Sequence, residues 1–361
     1  MRARPASVVT QLGMTLLELM ISLTVGLVMV AALAALYVSS RSTFRVAESL
    51  ARVQEAGRMA LDFLQEDVRA AGFIGCRSRN SQAVQFVMLA RPAVAMAGAG
   101  DAVRGFEDGA GWVNPSPVPR LRGDVLSVRR AGGIGDELAA DSNVAGATVT
   151  LKNNCTGFTN GSYVALGNCE RLAVVRVTNA PATTCSPAMA PVVLAHGSGG
   201  APLGGGNGNN GVVSGPSSHQ LQPPLLLDTR AVAYRFDDVS FFIGANPAGR
   251  PALYRTSLNG PAEELVENVE DLDLVFGIDT SVPADGIADD YLRADQVVNW
   301  NQVVSVRAMV VILGPEDNVA ATRQVYEFGT TASGTVETMT AADRRLRQVF
   351  GTTITLRNRL P

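Results

Sequence analysis

Four groups of residues have side chains that could do chemistry. Glu18 stands in "GMTLLELMISLTVGLVMVAALAALYVSS", an otherwise apolar run. A carboxylate placed in lipid costs roughly 2.5–3.5 kcal/mol on insertion scales, so such a charge calls for a partner or a task. Asp279, Asp285, Asp289 and Asp290 cluster around a glycine in "GIDTSVPADGIADDY". Clustered carboxylates suit a hard cation such as Ca²⁺, but this spacing departs from the EF-hand loop, and the simpler reading is an acidic solvated turn with no metal. The two histidines, His196 and His219, flank a glycine-rich stretch. No G-x-S-x-G elbow accompanies them and no acid is placed to orient either ring, so nothing points to an enzyme or to a cofactor. Cys76, Cys155, Cys169 and Cys185 form no C-x-x-C pair. In a translocated domain an even count favours two disulfides, with three possible pairings; four buried free thiols are the alternative.

The elements that position these groups follow from the apolar pattern. Leu19 to Val38 carries no charge, which is about 20 residues and roughly 30 Å of helix, enough to cross a bilayer. Arg2 and Arg4 precede it, and Arg41 and Arg45 follow. The charge rule is therefore nearly balanced, but a short N-terminus and downstream cysteines place residue 1 inside and the bulk outside. Phe44, Ala47, Leu50, Val53, Gly57, Ala60, Leu61, Leu64, Val68 and Ala71 continue the run as one stripe at steps of three and four. One helix over 16–71 is predicted, apolar all round in its first half and amphipathic in its second.

Beyond Cys76 the period changes. Short runs rich in Val and Leu, bounded by Gly, Asn or Pro, read as strands at 84–90, 124–128, 147–152, 163–166, 172–178, 231–236, 239–243, 252–256, 272–276, 303–313, 325–328 and 350–356. Residues 263–269 read as a short helix or turn. Residues 197–218 form a glycine-rich loop or linker without the GK[ST] of a phosphate loop. With 361 residues, a net charge of −3 and 47% hydrophobic residues, the chain can bury a sizeable core and has no basic excess for nucleic acid. Lys152 is the one lysine. Arg344, Arg345, Arg347, Arg357 and Arg359 flank the last strand and read as a solvated face, with an acidic partner as the alternative.

A short basic leader, Gly13, Met14, Thr15-Leu16-Leu17, Glu18 and a span of this length resemble a type IV prepilin signal. "LQEDVRAAGFIGC", "AEELVENVEDLDLVFGIDT", "VVNWNQVVSVRAMVVIL" and "RQVFGTTITLRNR" resemble the PilW family of minor pilins, which is related to minor pseudopilin J of type II secretion. The resemblance implies an α+β, type IV pilin-like fold: a long N-terminal helix packed on an antiparallel β-sheet domain, with a second β-rich lobe. The divisions are leader 1–13, assembly helix 14–38, amphipathic continuation 39–75, cysteine-bearing lobe 76–196, linker 197–218 and C-terminal lobe 219–361. It implies cleavage between Gly13 and Met14 by prepilin peptidase, and N-methylation of Met14. Glu18 would then pair with a neighbouring subunit's N-terminal amine and set axial register, a role in which a buried ion pair brings alignment more surely than stability. The implied partners are other minor pilins, the major pilin, the inner-membrane assembly platform and, before assembly, the lipid bilayer, with no direct nucleic-acid contact. A secretion pseudopilin and a membrane-anchored adhesin that never assembles are the alternatives.

The first expected outcome concerns the leader. Mass spectrometry of membrane-extracted protein should find an N-terminal peptide that begins at N-methylated Met14. A peptide retaining Arg2 and Arg4 would favour the anchored protein, and a start near Ser39 an ordinary secretory signal.

Overall fold

The computed structural model describes residues 15–73, 85–88, 102–143, 148–168, 171–183, 185, 191–196, 226–258 and 260–359. Helix α1 runs unbroken over Leu16–Ala70, about 80 Å at 1.5 Å per residue. The strands follow in chain order. They are β1 (Gln85–Met88), β2 (Val103–Phe106), β3 (Val125–Glu137), β4 (Ser142–Asn143), β5 (Thr148–Leu151) and β6 (Tyr163–Gly167). Then come β7 (Arg171–Arg176), β8 (Val192–Ala195), β9 (Leu226–Leu227), β10 (Val232–Ala245), β11 (Pro251–Ser257) and β12 (Gly260–Glu267). The last are β13 (Val269–Ile278), β14 (Asp290–Arg293), β15 (Val303–Leu313), β16 (Val325–Thr330), β17 (Val336–Thr340) and β18 (Arg347–Thr355).

Two sheets carry the architecture. The larger has the path β1-β7-β6-β10-β11-β12, with β3 also paired to β10 and β2 to β3. The smaller is β14-β13-β15-β18. The pairing is antiparallel as expected, except that β1 and β7 run parallel. Residues 231–236 and 239–243 belong to a single long strand, β10, whose first half pairs with β6 and most of whose length pairs with β3. The larger sheet thus draws on both sides of 197–218. Those residues separate stretches of sequence but not separate sheets, and they lie outside the described residues themselves.

Residues 263–269 are not a helix or turn. They fall in β12 and its exit, although Glu and Leu are good helix formers. Cross-strand partners outweigh the weak local preference: Arg255 Nη2 donates to Glu263 at 2.8 Å and Tyr254 Oη to Glu264 at 3.3 Å. Asn268 then takes a left-handed conformation, φ +60°, which Asn tolerates better than most residues. This one residue carries the chain from the edge of the larger sheet into β13 of the smaller.

Three layers meet at the main core. Leu64 and Val68 of α1, Phe241 and Ile243 of β10, and Phe276, Val306 and Val310 of the smaller sheet are all fully buried in one cluster. A second core lies away from α1 and joins Leu151, Phe158, Leu166, Val175 and Leu194.

The two sheets are tied by residues 107–124. Asp124 donates its N–H to Leu272 O and accepts the Leu274 N–H at 2.8 Å and the Asp108 N–H at 2.9 Å. Glu107 pairs with Arg293 of β14 at 2.8 Å, while its other oxygen, Oε2, is buried with no hydrogen-bond partner among the described residues. Burial pushes the Asp124 carboxyl up to about 8, the nearby Glu107 charge adding to it. Burial pushes Glu107 up to about 7 against the pull of Arg293.

A carboxyl raised in the folded state binds more protons there than in the unfolded chain. Its contribution is therefore complete below its unfolded value and is lost as pH rises through the folded one. With Asp124 raised to about 8 and Glu107 to about 7, stability should fall by several kcal/mol, on the order of 5 kcal/mol, between about pH 5 and pH 8. Glu107→Gln, which keeps an acceptor for Arg293, should flatten that fall. Denaturant midpoints at the two pH values check it.

Candidate assembly interface

The helix opens with a capping box that residue types alone could have disclosed, since Thr15-x-x-Glu18 fits the [ST]-x-x-[DE] pattern. Glu18 N donates to Thr15 Oγ1 at 3.3 Å, and Glu18 Oε2 accepts the Thr15 N–H at 3.0 Å. Glu18 is therefore already engaged by its own chain, through two otherwise orphaned donors of the first turn. Gly13 and Met14 lie outside the described residues.

Every residue from Thr15 to Glu48 is exposed, Leu19–Val38 included, as expected for a span that awaits lipid or other helices. The helix is long and apolar enough to cross a membrane. Its hydroxyls suit that setting. Ser22 Oγ donates to Glu18 O at 2.7 Å and Thr24 Oγ1 to Ile21 O at 2.8 Å, so neither needs water. A Cβ at Gly26 would meet nothing within 4 Å. Ala31, Ala32, Ala34 and Ala35 follow in sequence, and small residues such as these admit close approach of a second helix.

From Ser49 onward the β-domain covers one face. The buried positions are Ser49, Val53, Gly57, Ala60, Leu64, Asp67 and Val68. Phe44 and Ala47 of the expected stripe stay exposed because the domain begins its cover only at Ser49, where Gly314 meets the helix, and Leu50 is exposed on a face away from that cover. At Gly57 the ring of Phe350 in β18 occupies the place of a Cβ. A larger residue there would push β18 off the helix.

Asp67 breaks the apolar stripe. It is 1% exposed, 2.6 Å from Arg130 Nη2 of β3 and 3.6 Å from Arg255 Nη1 of β11. These are charge contacts rather than aligned hydrogen bonds. Burial pushes its carboxyl up, and Arg130 and Arg255 pull it back in part. The helix end is held too: Asn358 Nδ2 donates to Ala71 O at 3.0 Å, and Gly72 N to Arg129 O at 2.9 Å. These contacts fix the helix in rotation and in height along the sheets. Sequence reasoning missed Asp67, because an acid at a stripe position is legible only once its cationic partners from distant strands are in place.

The remaining candidates divide. Cys155 and Cys185 are bonded, closing a loop of 30 residues; Cys76 and Cys169 lie outside the described residues. Asp279 is buried and accepts the N–H groups of Ser281 (3.0 Å) and Gly286 (2.7 Å). Asp289 accepts the Thr280 N–H and hydroxyl, whose hydrogen bonds hold its carboxyl below the usual range. Asp285 accepts the Ile287 N–H, and Asp290 that of Tyr291, at the start of β14. The carboxylates brace this turn, and among the described residues no three His, Cys, Asp or Glu side chains gather as a metal site. His196 is fully buried at the end of β8, and His219 lies outside the described residues. Arg347 is neither a solvated face nor a partner surface. It is 6% exposed and grips Glu270 with two hydrogen bonds, of 2.7 and 3.1 Å.

The clasp generates a graded expectation for denaturant unfolding of the detergent-solubilised chain. Leu64→Ala should cost about 2–5 kcal/mol and Gly57→Leu about 1–3 kcal/mol through overpacking. Asp67→Ala should cost about 1–3 kcal/mol, since its partners are part-exposed and recover some solvation. Leu27→Ala, in the bare span, should leave the midpoint of the β-domain unchanged.

Nothing among curated proteins or among solved structures matches the chain. A family model matches one region, and that region holds the second half of β10, all of the smaller sheet and the Phe350 contact on the helix. Residues 240–358 match PilW, Type IV Pilus-assembly protein W.

Proposed function

We propose that the chain is a minor pilin of a type IV pilus, an inner-membrane subunit that helps prime fibre assembly and is then carried at the fibre tip. One observation carries the reading. A single unbroken helix has a bare apolar first half and a second half clasped by the β-domain in which the PilW match lies. Lipid can cover the bare half before assembly and other apolar helices afterwards, with no refolding of the domain between the two states.

In this reading prepilin peptidase cuts between Gly13 and Met14, and Met14 is N-methylated. Residue 1 starts in the cytoplasm and the β-domain lies in the periplasm. Other minor pilins, the major pilin and the assembly platform are the partners, and the role is non-enzymatic. Glu18 has two tasks: it caps its own helix and, through its charge, meets the amine of a neighbouring subunit.

Glu18→Gln separates these tasks. Gln at this position keeps an acceptor for the Thr15 N–H but carries no charge. The variant should insert in the membrane at the wild-type level. In a strain lacking the native chain it should restore about tenfold fewer surface pili or less, the loss that roughly 1.4 kcal/mol at an interface produces. Wild-type piliation by Glu18→Gln would remove the charge-pairing role. A deletion strain that keeps its pili and loses protein secretion would replace the pilus with a secretion pseudopilus.

A further inference from the structure

A cavity of about 310 Å³ opens where β3 and β10 pass the disulfide-bonded loop, on the second lobe. Arg130, Gly132, Gly133, Ile134, Cys155, Thr156, Arg235 and Asp237 line it. Its space is made by glycine. Gly132 sits opposite Arg235 in the β3–β10 register, and a Cβ built at Gly132 or Gly133 meets nothing within 4 Å.

One wall is held rigidly. Asp136 accepts the N–H groups of Cys155 and Thr156, both at 2.9 Å. Thr156 Oγ1 donates to Ile134 O. Cys155 is bonded to Cys185, and Phe158 is fully buried behind it. Arg235 Nη2 donates to Thr156 O at 3.1 Å and more weakly to Gly157 O at 3.4 Å. This fixes the guanidinium while its Nε and Nη1 make no hydrogen bond among the described residues. No carboxylate lies within ion-pair distance of it there, although it is half-buried.

The other charges at the cavity are committed. Arg130 leans on Asp67. Asp237 accepts from Ser257 Oγ at 2.7 Å and from Leu258 N at 2.9 Å. A half-buried guanidinium with no counter-ion among the described residues, held by a rigid wall at the edge of an open cavity, is a preorganised anion receptor. Asp237 selects among anions. Its charge disfavours a dianionic phosphate, while its remaining lone pairs can accept from a hydroxyl beside a single carboxylate.

We propose that this cavity binds a small hydroxylated carboxylic acid of the size of a uronic-acid monosaccharide, with its carboxylate on Arg235 and a hydroxyl on Asp237. The binding is separate from the pilus reading and rests on none of it. It would give the exposed second lobe a recognition function toward acidic saccharide.

The test is titration of the full detergent-solubilised chain with sodium glucuronate, glucose and inorganic phosphate, followed by calorimetry and saturation-transfer NMR. Glucuronate should bind saturably, with glucose and phosphate each about tenfold weaker or more, as loss of a charge-assisted pair produces. Arg235→Gln should weaken glucuronate by about tenfold or more. That variant also loosens the loop at Thr156, so Gly132→Leu provides the independent check. Its side chain grows into open cavity, should leave the thermal midpoint unchanged, and should abolish glucuronate binding. The proposal is overturned if glucuronate gives no saturable signal, if glucose or phosphate binds as tightly, or if Gly132→Leu binds glucuronate like wild type.

Discussion

A single helix of 55 residues has to satisfy two environments at once, and the rest of the fold follows from that. Up to Val38 it offers apolar side chains in nearly every direction; from Ser49 it offers one face covered by the β-domain and one charged face. The smaller sheet supplies the cover, with β15 and β18 lying along the buried face. Gly57 lets the Phe350 ring reach the helix backbone, and Leu64 and Val68 carry the contact into the main core. Because the cover starts at one defined turn, the length of helix left bare is defined as well. That length is what a bilayer or a bundle of helices must accommodate.

Charge inside the structure sets position more than it adds stability. Asp67 joins the helix to β3 and β11, Asp124 joins the two sheets, and Arg347 joins β18 to Glu270. Apolar packing alone would permit the helix to slide by one turn, since its stripe repeats. A buried carboxylate with two arginines at fixed sheet positions does not tolerate that shift, because a displaced charge would be left unpaired in a low-dielectric interior. The same logic lets Asp124, an acceptor of two backbone N–H groups, hold the sheets at one angle.

The two lobes have different physical characters. The helix-clasping region is built from long antiparallel strands around the shared core. The lobe around the second core is held by a disulfide, by side-chain to backbone hydrogen bonds around Asn154 and Asp136, and by a small apolar cluster. The PilW match begins within β10, past the strands that complete this lobe. The matched region thus contains the smaller sheet and its Phe350 contact with the helix, while Asp67, Arg130 and the cavity between Arg130 and Arg235 lie outside it.

Sequence by itself determined the long helix, its change from all-round to one-sided apolarity, and most of the strands, because periods of 3.6 and 2 are local properties of the chain. It also held the Thr15–Glu18 capping box, which depends on four consecutive residues. Tertiary structure decided what depends on pairing at a distance. Residues 263–269 became strand because β11 offered partners, and 231–236 and 239–243 fused because β3 pairs across the gap between them. Cys155 found Cys185 because the second lobe brings them together. The carboxylates at 279–290 turned to backbone N–H groups of their own turn, and Arg347 turned inward to Glu270. Whether a charge is solvated, paired or left open to a ligand depends on which strands lie beside it, and a one-dimensional pattern does not carry that information.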